Sequence, residues 1–173
     1  MLTLTACKSS RDAEAALPEQ KSGPKPVTTE ESARPSPWLV TTSRNAITGE
    51  ETVVTKTFDG RQALVIRQTG KKLECYVTTG HFLETVENVH SHLSAVIYKF
   101  DDGSVVRQAW RMSADYEALF YPGNPLDFLN KIHDAKRFAV QYKPADEVSQ
   151  TLSFDVSRFP AESWQRLPDA YTY

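Results

Sequence analysis

The break in composition between Pro37 and Trp38 constrains this chain more than any other feature. Residues 8–37 are mostly Lys, Glu, Ser, Pro, Ala and Thr, with prolines at Pro18, Pro24, Pro26, Pro35 and Pro37 and no aromatic residue. Such a stretch cannot bury enough apolar surface to offset the entropy of ordering it, and its prolines bias it toward extended conformations. Residues 7–37 are therefore expected to form a disordered tether, with at most a helical turn over Asp12–Leu17. From Trp38 the aromatic and β-branched residues return, so a globular domain is expected over 38–160, followed by a Tyr-rich tail over 161–173. At 173 residues and 40% hydrophobic, the chain has material for one core plus its appendages.

Ahead of the tether, Leu4-Thr5-Ala6-Cys7 followed by Lys8-Ser9-Ser10 reads as a bacterial lipobox. Small side chains just before the cut suit a signal peptidase, and the thiol of Cys7 is the nucleophile that takes the lipid. A secretory signal also carries a basic region and roughly 7–15 apolar residues, whereas Met1-Leu2-Thr3-Leu4 has neither. Residues 1–6 are accordingly expected to be a signal remnant; the alternative is a ragged N-terminus with an incidental cysteine. One acyl chain holds a protein marginally, and two or more anchor it stably at about 0.8 kcal/mol per buried CH2. With Lys8 rather than aspartate after the cysteine, the expected location is the outer membrane, facing the periplasm. Lipid on Cys7 also leaves Cys75 without a disulfide partner.

The domain is written in short strands. Trp38–Thr42 and Glu51–Phe58 are β-rich around a turn at Arg44–Gly49, and Asp59-Gly60 is a hairpin signal. Ala63-Leu64-Val65-Ile66 is a continuous apolar run, as in a strand covered on both faces. After the turn Thr69–Lys72, the inward set is Leu73, Cys75 and Val77. Ala95–Phe100, the turn Asp101-Asp102-Gly103 and Ser104–Met112 make the clearest hairpin; Val106, Gln108, Trp110 and Met112 share one face, Val105, Arg107, Ala109 and Arg111 the other. One helix is expected, with Asn124 as N-cap, Pro125 at the first position, Asp127 in the first turn and a stripe of Leu126, Leu129 and Ile132 flanked by Phe128 and Ala135. Strands over Arg137–Lys143 and Thr151–Ser157 close the domain. The fold class is mainly β (α+β): an antiparallel β-sandwich-like domain packed with one helix.

Chemistry is sparse. The formal charge of −2 offers no basic footprint for nucleic acid, and no run of 18 apolar residues suggests a membrane-spanning helix. His90-Ser91-His92 would place two imidazoles on one side of a strand, half of a metal site; zinc takes three or four protein ligands, and a solvated loop pair is the plainer reading. His81 and His133 are isolated. Neither a Gly-x-Ser-x-Gly elbow nor a phosphate loop is present, and Ser113 sits at a strand exit. Glu50-Glu51 and Asp101-Asp102 are adjacent, hence splayed to opposite faces of a strand rather than opposed. Cys75 reads as a small core residue rather than a reactive thiol. Arg107, Trp110 and Arg111 are a candidate protein-contact surface, since Arg and Trp are enriched at interfaces; the alternative is a solvent-facing strand with Trp110 in the core. The expectation is a non-enzymatic protein without cofactor or metal.

The runs Ala63-Leu64-Val65-Ile66-Arg67, Leu73-Glu74-Cys75-Tyr76-Val77, Val96-Ile97-Tyr98-Lys99-Phe100-Asp101 and Trp110-Arg111-Met112-Ser113, continued by Ala118-Leu119-Phe120, Pro125–Ala135, Phe138-Ala139-Val140 and Thr151–Val156, resemble the TagO/VasI family. Its members are periplasmic accessory proteins of type VI secretion, with similar sequences among phage and prophage exported proteins. The resemblance covers Trp38–Phe159 and rests on spaced hydrophobic positions. Where the family pattern has a cysteine after the Leu-x-Ile-Arg run, this chain has Gln68, and no second domain cysteine exists to pair with Cys75. The resemblance implies a non-enzymatic envelope role with an envelope protein as partner, and it transfers no active-site residue. Two other expectations stand beside it: a phage-encoded envelope lipoprotein that blocks a receptor or injection machinery, and a metal-dependent hydrolase centred on His90 and His92.

Overall fold

Every strand pairing in the domain is antiparallel, and short turns set most of them. The computed structural model describes residues 35–86 and 92–164. Cys7, the tether as far as Arg34, His90 and the tail beyond Trp164 lie outside the described residues. In chain order come β1 (Leu39–Arg44), β2 (Glu51–Asp59), β3 (Gln62–Thr69), β4 (Lys72–Thr78), β5 (Leu93–Phe100), β6 (Val106–Met112) and β7 (Ala118–Phe120). The helix α1 (Pro125–Asp134), β8 (Arg137–Tyr142), β9 (Gln150–Asp155) and a 3-10 turn over Ala161–Trp164 follow.

The strands form one nine-stranded sheet in the order β1-β2-β3-β4-β7-β6-β5-β8-β9. Its far ends approach each other: Thr57 Oγ1 on β2 donates to Asp155 O on β9 at 3.0 Å, and Ser153 N–H on β9 donates to Asp59 Oδ2 at 2.7 Å. Trp38 closes the same seam, its indole N–H reaching Val156 O and Ser157 O while its ring packs edge-on against Phe159. The expected sandwich-like, antiparallel domain with one helix is therefore present, built from a single sheet folded over one core.

Local chemistry explains the turns. Asn45 Oδ1 accepts from the N–H groups of Ile47 and Thr48 at 2.8 and 3.0 Å, holding the β1–β2 turn. Gly70, with φ +54°, makes the β3–β4 turn, where a Cβ would fall on the Glu50 carboxylate. Asp101 has a role its sequence context did not reveal. Its carboxylate accepts from Lys136 N–H and Arg137 N–H at 3.0 and 2.8 Å, tying the β5–β6 turn to the start of β8.

Strand alternation builds the interior. Leu64 and Ile66 from β3, Cys75 and Val77 from β4, Trp110 and Met112 from β6, Phe138, Val140 and Tyr142 from β8, and Leu152 and Phe154 from β9 all enter one core. In the sheet order β4 and β5 are separated by β7 and β6, the strand arrangement of a Greek key. α1 carries the chain from β7 to β8. Its N-cap is as expected, Leu126 N–H donating to Asn124 Oδ1 at 2.9 Å with Pro125 at the first position. Phe128 is its central anchor rather than a flank of the stripe. Its ring lies 4.6 Å from Tyr121, 5.3 Å from Phe138, 5.5 Å from Phe100 and 6.1 Å from Trp110. Truncating so buried an aromatic costs about 3–5 kcal/mol.

Two boundaries move. Trp164, assigned from sequence to the C-terminal tail, is buried in the core with its ring stacked near Phe159. The packed domain therefore extends to at least Trp164. Ala118–Phe120 is a true strand, bridging β4 and β6, though it is only three residues long.

Candidate functional site

The outer face of the sheet carries the most organised surface chemistry among the described residues. Direct cross-strand partners run in one row: Leu39, Lys56, Val65, Tyr76, Phe120, Arg111 and Leu93, crossing β1, β2, β3, β4, β7, β6 and β5. Residues in register share a face, and their sequence neighbours Ile66, Cys75, Val77, Leu119, Trp110 and Met112 fill the core. The row is therefore the outward one.

At its centre the rings of Tyr76 and Phe120 stack with centroids 4.8 Å apart. The Arg67 guanidinium lies 5.3 Å from the Tyr76 centroid, within cation–π range. Its orientation is fixed from the other side, since Nε and Nη2 of Arg67 donate to Glu74 Oε2 at 3.0 and 2.5 Å. Lys72 Nζ lies 2.7 Å from the second oxygen, Glu74 Oε1. Burial disfavours the Glu74 carboxylate, but the hydrogen bonds from Lys72 and Arg67 outweigh it and hold its pKa below the usual value. For Arg67, burial likewise opposes the charge and the bonds to Glu74 prevail, raising its pKa. Glu74 thus neutralises one of two neighbouring cations, and the stack remains flanked by Arg67 on one side and, across Phe120, by Arg111.

A depression of about 380 Å³ adjoins the stack, lined by Arg61, Arg67, Tyr76, Phe120 and, toward its rim, Ser113 and Asp115 among others. The rim is a self-contained turn. Ser113 Oγ bonds to the Asp115 carboxylate and accepts from Glu117 and Ala118 N–H groups, which satisfies the hydroxyl locally. The surface is suited to recognition: planar aromatic area of low conformational entropy, with the Arg67 guanidinium held at its edge.

The sequence-level contact set divides. Arg107 and Arg111 lie exposed on the outer face as expected. Trp110 does not join them; it is 1% exposed, packed edge-on against Tyr98 and Tyr121 inside the core. Of the two readings of this strand the alternative holds, a solvent-facing β6 with Trp110 in the core, because alternation turns Trp110 away from its neighbours. The three-residue surface is corrected to Arg107 and Arg111. Arg61, Arg67, Tyr76 and Phe120 were not singled out from sequence. Their signal is cross-strand register, which a single sequence displays only as isolated outward residues.

Cys75 sits in the core, and burial pushes its thiol pKa up to about 12. His92 takes a positive φ of 46° and its ring stacks on Tyr116 at 5.0 Å, with Tyr116 next to Phe82 at 4.8 Å. Its companion His90 is outside the described residues, and among the described residues no group of three or more His, Cys, Asp or Glu is placed to hold a metal. His81 lies 3.5 Å from Glu147, and His133 lies 3.1 Å from its neighbour Asp134. No described helix is long and apolar enough to cross a membrane. The chain matches no family model, no curated protein and no solved structure.

Proposed function

We propose that this chain is a non-enzymatic envelope protein, anchored by lipid on Cys7, whose domain binds another envelope protein through the outer face of β4, β7 and β6. The observation that carries the reading is the Tyr76–Phe120 stack, with Arg67 held against Tyr76 and Arg111 exposed in register with Phe120. It is an aromatic and cationic surface whose stack and Arg67 are ordered before any partner arrives. Pre-ordering of that kind lowers the entropy lost on association. The lipobox and the compositional tether supply the address. The TagO/VasI resemblance supplies the class of process, an accessory role in type VI secretion, with the partner a protein of that assembly.

The test has two arms. Metabolic labelling with a fatty-acid analogue should mark the wild-type protein and not Cys7→Ala; equal labelling of both would remove the anchor from the account. Paired substitution Arg67→Glu and Arg111→Glu should abolish crosslinking to the envelope partner while leaving the melting temperature within a few degrees. Undiminished crosslinking would remove the face.

A further inference from the structure

The two ends of the sheet are finished differently. β9 has two of its outward backbone groups taken, Ser153 N–H by the Asp59 carboxylate and Asp155 O by the Thr57 hydroxyl. β1 has no such cover among the described residues. Asn45 N–H donates to Glu50 O at 2.8 Å, and antiparallel pairs alternate between bonded and non-bonded, so Ser43–Thr52 and Thr41–Val54 are the bonded pairs. The N–H and C=O groups of Val40 and Thr42 therefore point to the open edge. The six residues of β1 are all exposed and contain neither proline nor lysine, and their register against β2 is unbroken by a bulge. Among the described residues, apart from the charged Arg44 at its end, β1 lacks the devices that usually protect an edge strand.

A groove of about 410 Å³ lies beside that edge, lined by Val40, Thr42 and Val53 with Glu51 and Glu162 as its charged residues. The Glu50 carboxylate stands against Gly70 on the same rim. Arg44, the cross-strand partner of Glu51, has its Nε engaged by Gly49 O at 2.8 Å, and Lys72 is paired with Glu74. The side chains of Val40 and Thr42 face the groove while their backbone groups face the edge, so a strand added there would place alternate residues over an acidic, partly apolar trough.

We propose that β1 is a strand-addition site for an extended polypeptide segment carrying alternating aliphatic and basic residues. The ladder groups of Val40 and Thr42 supply the pairing, and Glu51 and Glu162 select the basic side chains. This site is on a different part of the sheet from the outer-face row and depends neither on that face nor on lipid at Cys7.

The probe is a blocked octapeptide of alternating valine and lysine, compared with its valine–glutamate counterpart on the full chain by fluorescence anisotropy at low salt. The valine–lysine peptide should bind at least tenfold more tightly. Thr42→Pro, which removes an outward N–H while leaving the β1–β2 ladder bonds intact, should weaken it tenfold or more. The double substitution Glu51→Lys and Glu162→Lys should reverse the preference, which keeps the test decisive if the proline perturbs the strand. Absence of binding, equal binding of both peptides, or binding unchanged by the charge reversal would overturn the proposal. So would a dimer seen by light scattering that Thr42→Pro dissolves, because the edge would then belong to a second copy of the chain.

Discussion

Trp110 and Arg111 are neighbours in the chain and opposites in the fold. Trp110 lies in a cage of Tyr98, Tyr121 and Phe128, whereas Arg111 stands in the open beside Phe120. The inner face is a crowd of aromatic rings in which each side chain depends on the others. The outer face is a thinner layer: Val65 in its row is 2% exposed, while Arg111 stands exposed and available for contact. Arg and Trp side by side in a sequence are thus no evidence of a joint surface on a strand, where one residue of separation changes the solvent.

That contrast gives graded expectations. Trp110→Ala should cost about 3–5 kcal/mol in urea denaturation, while Arg111→Ala should fall within about 0.5 kcal/mol of wild type. Comparable losses at both positions would erase the distinction between the faces. Cys75 probes the inner face chemically. Its thiol should ignore an aromatic disulfide reagent in the native state at pH 8 and react once the chain is unfolded; fast native reaction would place it outside the core. Its raised pKa also has a sign. The folded state favours the neutral thiol, so this contribution is fully present below the ordinary thiol pKa and is lost as pH rises through about 12. Cys75→Ala should flatten the alkaline limb of the stability curve.

Smaller effects follow. Asn124→Ala removes the cap at the start of α1 and should cost about 1 kcal/mol, with Asn124→Asp close to neutral. On the outer face, Glu74 has a lowered pKa, so its contribution is present above the ordinary carboxylate range and is lost as pH falls through the folded value. Because the pair is partly open to solvent, Arg67 at 38% and Glu74 at 17% exposure, the loss should be no more than about 1 kcal/mol, weaken with salt and disappear in Glu74→Gln. A larger, salt-independent effect would mean that the outer face supports the fold.

The strands and the helix were legible because their signals are local. Alternation over Leu73–Val77 and Phe138–Tyr142, the apolar run Ala63–Ile66, the hairpin turns and the Asn124-Pro125 cap each need only a few adjacent residues. β7 was harder to see because three residues show no period, and its strand identity comes from its two neighbours. Trp164 was set apart in the tail because the stretch after Phe159 runs into Pro168 and a polar, Tyr-rich end, although its indole packs near Phe159. The outer-face site could not be read at all by that route. Arg67, Tyr76, Phe120 and Arg111 are far apart in the chain, and only the order β3-β4-β7-β6 brings them onto one patch, with Arg67 one register step off the row. The open edge of β1 depends likewise on which strands end the sheet.

The most direct test of the outer face as the contact surface is site-specific photocrosslinking in intact cells. A benzophenone side chain at Phe120 should yield one discrete protein adduct that Arg67→Glu with Arg111→Glu removes. The same probe at Val148, a loop residue 78% exposed, should yield none. No adduct at Phe120, or the same adduct from Val148, would contradict the account.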